Sequence, residues 1–142
     1  MDSDNEMRDE EAPVGIQLTK EFDNPNAQPC SIIELISLIK NDEKKGVKIF
    51  EDNSVIKLTK DYLNTFNNYG MTENIANKAY NIRRIFMSTE EDKFTGIEQT
   101  SLVDLAPSNA DEAFSLIPTL KKKLTHEELQ GYLDTLNKEV QI

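Results

Sequence analysis

The chain has 142 residues, enough for one domain with a short appendage around one modest hydrophobic core, and too few for two large domains. Apolar residues at 37% fall below the share usual in a self-contained globule and charged residues reach 30%, so part of the chain is expected to rely on solvent or a partner. A net charge of −10 repels phosphate backbones and disfavours non-specific nucleic-acid binding.

Half of the excess charge lies in residues 1–12, where Asp2, Asp4, Glu6, Asp9, Glu10 and Glu11 face only Arg8; this stretch reads as a disordered acidic arm. In residues 14–19, Val14, Ile16 and Leu18 alternate with small or polar residues, the period of a strand with one buried face. No neighbouring segment pairs with it, so it is either coil or a strand completed by the sheet edge of another chain. Asn24-Pro25-Asn26 marks a turn.

Ser31 and Glu34 form a capping box, and the helix they open closes at Lys44-Lys45-Gly46. Ile32, Ile33, Leu35, Ile36, Leu38 and Ile39 spread apolar side chains around much of its circumference. Such a helix needs cover on two sides, from the rest of the chain or from a partner. Val47 to Phe50 suggests a brief extended piece.

A second helix is expected over Ser54 to Tyr69, with Val55, Leu58, Tyr62, Phe66 and Tyr69 in one core band, Ile56 and Leu63 beside it, and Gly70 as the stop. A third runs from the cap Thr72 to Met87 and buries Ile75, Ala79, Ile82 and Phe86. After the charged loop Ser88 to Lys93, Thr95 and Glu98 make a second capping box for a helix carrying Ile97, Leu102 and Leu105 up to Pro107. Asn109 and Glu112 start a short helix that stops before Pro118. Thr125 and Glu128 cap the last one, with Leu124 and Leu129 as its hydrophobic staple and Leu133, Leu136 and Val140 following. Five compact helices are thus expected in the region 54–142.

Candidates for chemistry are few. Cys30 is the sole cysteine, which excludes an intrachain disulfide, fits a reducing compartment and reads as a small half-buried thiol. His126 is the sole histidine and falls at an exposed first helical position, with no second histidine to complete a metal site. The five glycines form no phosphate-cradling loop, and no nucleophile elbow is present. No enzyme, cofactor or metal is expected, and no membrane span or leader is read from the sequence. Arg83-Arg84 and Lys121-Lys122-Lys123 are small basic clusters read as helix electrostatics and solubility.

Residues 105–138, through Ala110-Asp111-Glu112-Ala113, Leu116-Ile117-Pro118-Thr119-Leu120 and Leu124-Thr125-His126-Glu127-Glu128-Leu129-Gln130, resemble the C-terminal signature of the family of the fourth subunit of eukaryotic RNA polymerase II. Gly15-Ile16-Gln17-Leu18-Thr19-Lys20-Glu21-Phe22 is similar to that family's N-terminal strand and following Glu-Phe. Thr19, Ile97-Glu98 and Ala106-Pro107 depart from the family pattern.

The resemblance implies a mainly α fold: a strand and helix in residues 13–50 that pair with a partner subunit, then a five-helix bundle in residues 51–142 like the helicase-and-RNase-D C-terminal fold. It implies a nuclear, non-catalytic polymerase subunit that forms a stalk heterodimer with the polymerase's seventh subunit and supports initiation and handling of nascent RNA. Val14, Ile16, Leu18, Phe22, Ile32, Ile33, Leu35, Ile36 and Ile39 are the residues expected to meet that partner. Ile16→Asp or Ile36→Asp is accordingly expected to abolish pairing and leave residues 54–142 folded. The equivalent RNA polymerase III subunit and an independent nucleic-acid-binding module working through Arg83, Arg84 and Lys121 to Lys123 are the alternatives.

Overall fold

A computed structural model describes residues 28–46, 53–87 and 93–140. The acidic arm, the alternating segment at 14–19, the turn at 24–26, the extended piece at 47–50 and most of the charged loop lie outside the described residues. The described residues form six α-helices: α1 Ile32–Lys44, α2 Ser54–Phe66, α3 Ile75–Met87, α4 Gly96–Leu105, α5 Ala110–Leu116 and α6 His126–Asn137, with a 3-10 turn Pro118–Lys122 between the last two. Five of these follow residue 51, as the punctuation predicts. Among the described residues no strand is present, and no helix is long and apolar enough to cross a membrane.

The expected caps at Ser31, Thr95 and Thr125 are in place, each side chain accepting from the backbone N–H three residues on, with the returning glutamate completing the box. Elsewhere asparagine takes the role. Asn53 accepts from Val55 and Ile56, and Asn74 rather than Thr72 accepts from Asn77 at the start of α3. Asn109 caps α5, while Glu112 reaches back to the Ser108 amide.

α3 is the central helix, packed on α1, α4 and α6. Ile75, Ala79, Ile82 and Phe86 are buried, the four predicted from the 3.6-residue period. The Phe86, Phe94 and Tyr132 rings cluster beside them, with Phe86 and Phe94 edge to face at 5.2 Å. Leu129, Leu133 and Leu136 of α6 are fully covered, and the staple residue Leu124 is buried beside them. One apolar cluster runs from Ile33 and Ile36 of α1 through α3 to α6, so α1 shares a core with the helices that follow it.

α2 departs from its expected form. It ends at Phe66 rather than Tyr69, because the Asn67 side chain accepts from the Tyr69 amide and donates to the Gly70 carbonyl, while Gly70 takes a left-handed backbone at φ 71°. The chain turns there, and Tyr69 points inward with its hydroxyl donating to the Val103 carbonyl at 2.5 Å. α4 ends differently: Ala106 is left-handed at φ 44°, its amide donating to the Leu102 carbonyl, and Leu105 is exposed.

Candidate functional site

The positions expected to meet a partner are not equally available. Val14, Ile16, Leu18 and Phe22 lie outside the described residues. Ile33 and Ile36 are buried, and Ile32 and Ile39 are half-buried against the same core. Leu35 is exposed, and Leu38, three residues on, more so. The chain's own bundle therefore supplies one of the two covers that α1 needs and leaves the Leu35 and Leu38 side open.

α2 reverses the expected arrangement. Only Leu63 of this helix is buried, at 4% exposure, while Val55, Leu58, Tyr62 and Phe66, four of the five residues expected to form the core band, are 66%, 69%, 57% and 53% exposed; the fifth, Tyr69, lies beyond the helix and is buried. Their spacing of three or four places them on one face. The Tyr62 and Phe66 rings lie 4.7 Å apart on that face, and Met71, beyond the end of the helix, is also exposed.

Charge does not interrupt the stripe. Thr59 and Thr65 flank it, and their hydroxyls donate back to the Val55 and Asp61 carbonyls at 2.8 and 2.7 Å, so their one donor hydrogen each is spent on the helix itself. Between α1 and α2 runs a cleft of about 150 Å³, lined by Ile36, Ile39, Leu63 and Met71, with the Lys60–Glu43 ion pair on its rim. Periodicity had located the α2 stripe, but nothing in the sequence of α2 says whether its own chain covers it.

The basic residues divide. Arg83 is not a free helix-end cation: its guanidinium donates to Glu34 Oε1 at 2.6 Å, the Pro29 carbonyl at 2.9 Å, Gln99 Oε1 at 3.4 Å and Thr100 Oγ1 at 3.3 Å. Burial alone would raise the Glu34 carboxyl, but hydrogen bonds from Ser31 and Arg83 outweigh it and hold the group below its ordinary value. Nearby, Asp104 accepts the Ile32 amide at 2.8 Å at the start of α1, and burial pushes its carboxyl up.

Lys123 is likewise engaged, donating at 2.5 Å to Glu98, which is buried to 5% exposure and also accepts from Thr119 Oγ1 at 2.7 Å. Burial raises the Glu98 carboxyl, and the bonds from Lys123, the Thr95 amide and Thr119 more than reverse that. Lys121, Lys122 and Arg84 remain exposed, Arg84 lying 5.7 Å over the Tyr80 ring.

His126 is exposed, its Nε2 3.4 Å from Asp111 Oδ1. Cys30 is exposed rather than half-buried as a residue, with Sγ 3.6 Å from the Ser31 carbonyl. Partial burial of that thiol and the neighbouring Glu34 carboxylate push it up, away from thiolate reactivity. Among the described residues no cluster of His, Cys, Asp and Glu is placed to hold a metal ion. What the surface of the described residues offers instead is exposed apolar side chains on α1 and α2.

The profile of the family described as RNA polymerase Rpb4 matches residues 31–139, which take in every helix of the bundle. The chain belongs to the RNA polymerase Rpb4 family. It is 30% identical over 132 residues to the DNA-directed RNA polymerase II subunit rpb4 of Schizosaccharomyces pombe, and the match covers 90% of each chain. As a member of the Rpb4 family, the chain is an RNA polymerase subunit, and transcription is the process it serves. The family match bears out the resemblance drawn from Ala110 to Gln130.

Proposed function

We propose that this chain is a non-catalytic subunit of nuclear RNA polymerase II, paired with the polymerase's seventh subunit in a stalk that supports initiation and passage of nascent RNA. The observation that carries the reading is the α2 stripe of Val55, Leu58, Tyr62 and Phe66, with Leu35 and Leu38 of α1, exposed in a member of a polymerase-subunit family. A soluble chain rarely leaves so many large apolar side chains uncovered on neighbouring helices, and a subunit interface is a common reason for it.

In this reading residues 13–50 hold the partner-facing strand and helix, Val14, Ile16 and Leu18 adding to the partner's sheet and Phe22 packing beside it. Residues 51–142 form a bundle like the helicase-and-RNase-D C-terminal fold, and residues 1–12 remain an acidic arm. Ile33 and Ile36 hold α1 to the bundle, while Leu35, Leu38 and the α2 stripe face the partner. The nucleic-acid module gains no support, because two of the five basic side chains it needs, Arg83 and Lys123, are bound to Glu34 and Glu98.

The test is co-purification of the tagged full chain, with bound proteins identified by mass spectrometry. Recovery of the seventh subunit and the polymerase II core, lost in Leu58→Asp and Leu38→Asp, is the expected outcome. Recovery of RNA polymerase III subunits instead would reassign the chain. Undiminished pairing in both variants would remove the interface.

A further inference from the structure

Immediately before α1, the chain is held by two contacts that none of its local sequence requires. The Pro29 carbonyl accepts from Arg83 Nη2 at 2.9 Å, fifty-four residues away, and the same nitrogen donates to Glu34 at 2.6 Å. On its other side the Pro29 ring lies against Gly96 at the first position of α4, where an added Cβ would come within 3.1 Å of Pro29 Cδ. Arg83 also reaches Gln99 and Thr100, so its planar fork joins α3, α4 and the entrance of α1 in one polar knot. Proline fixes its own φ, and with its carbonyl and ring both seated the chain enters α1 along one direction.

We infer that Arg83, with Gly96, is a positioning residue for partner binding: it clamps Pro29 and thereby fixes the point to which the segment preceding residue 28 is tethered. The inference rests on the reading that this segment joins the partner. Two binding elements on one chain, the segment ahead of Pro29 and the exposed apolar side chains of α1 and α2, reinforce each other more strongly the less freely the connection between them moves. The clamp holds the bundle end of that connection, at Pro29.

Cys30, the sole cysteine and exposed, lets the clamp be read directly in the full chain. A nitroxide attached there should give a restricted spectrum in the otherwise unaltered protein. Arg83→Met should sharpen it, and so should Gly96→Val, which leaves the Arg83–Glu34 pair in place but crowds Pro29. Affinity for the purified seventh subunit should fall on the order of tenfold in each variant. That loss should shrink in an Ile16→Ala background, where the segment contributes less, whereas a general weakening of the bundle would carry over unchanged.

Unaltered spectra in both variants would overturn the clamp. Sharpened spectra with an affinity loss independent of Ile16 would overturn the positioning role. Failure of the unsubstituted chain to bind the seventh subunit would count against the partner reading and the positioning role together, while the spectra would still decide whether Arg83 and Gly96 hold Pro29.

Discussion

Glu98 is the most deeply buried charge among the described residues, and three donors hold it ionised: Lys123, the Thr95 amide and Thr119. Glu98→Gln keeps the volume but removes the charge, and should cost about 1–2 kcal/mol at neutral pH, held down by the partial exposure of Lys123. The folded carboxyls of Glu98 and Glu34 both lie below their ordinary value, so the unfolded chain takes up protons first as the pH falls. Their contribution is complete above the ordinary carboxylate range and is lost as the pH drops through the lower folded values. Asp104, raised by burial, runs the opposite way and offsets part of that loss. Urea unfolding at neutral pH and at pH 3 should therefore show a Glu98→Gln deficit that narrows in acid; a deficit of equal size at both would contradict the assignment. Ala106 offers a gain instead. Its left-handed backbone strains an alanine, and Ala106→Gly should raise stability by about 0.5 kcal/mol, part of the relief being returned as unfolded-state entropy; a lower melting temperature would contradict this.

At the scale of the helices, α2 separates apolar residues that hold the fold from apolar residues that do not. Leu63→Ala should destabilise the bundle by about 2–4 kcal/mol, because that side chain is its helix's one buried anchor. Leu58→Glu or Tyr62→Ser should change stability by no more than about 0.5 kcal/mol and abolish partner recovery. Thermal melts of the three variants distinguish the roles, and a collapse of the fold in Leu58→Glu would show that the stripe is used internally. Ile36→Asp, a natural choice from sequence alone, is an unsuitable probe of the interface: it buries a charge in the chain's own core, at about 3–5 kcal/mol, and would damage fold and pairing together. Leu38→Asp asks the same question on an exposed position.

These helices also mark how far the sequence was legible. The inward face of α3, the three capping boxes and the α6 staple could be read because each depends on residues within one or two turns. The facing of α2 could not, since a 3.6-residue period identifies an apolar band without saying which body covers it. The Asn67 stop hid behind the stronger signal of Gly70. The polar knots were out of reach altogether: Arg83 to Pro29 spans 54 positions, Asp104 to Ile32 spans 72 and Glu98 to Lys123 spans 25, and only the folded packing brings them together. Of the candidate interface, the sequence pointed to α1 as apolar on too many sides; the fold assigns Ile33 and Ile36 to the core and leaves Leu35 and Leu38 outward.

For the molecule as a whole, a bundle closed around α3 leaves large apolar side chains exposed on α1 and on α2, in a chain of the RNA polymerase Rpb4 family. The core holds α1 to the helices that follow it; the exposed apolar side chains are not used by that packing, and on the proposed reading they are what the partner subunit covers. Amide hydrogen exchange on the full chain, alone and mixed with the seventh subunit of RNA polymerase II, tests this most directly. Slower exchange on mixing, confined to the peptides spanning Leu35 to Leu38 and Val55 to Phe66 and the segment before residue 28, with α6 unchanged, is the predicted result. Exchange unchanged across α1 and α2 in the mixture would contradict it.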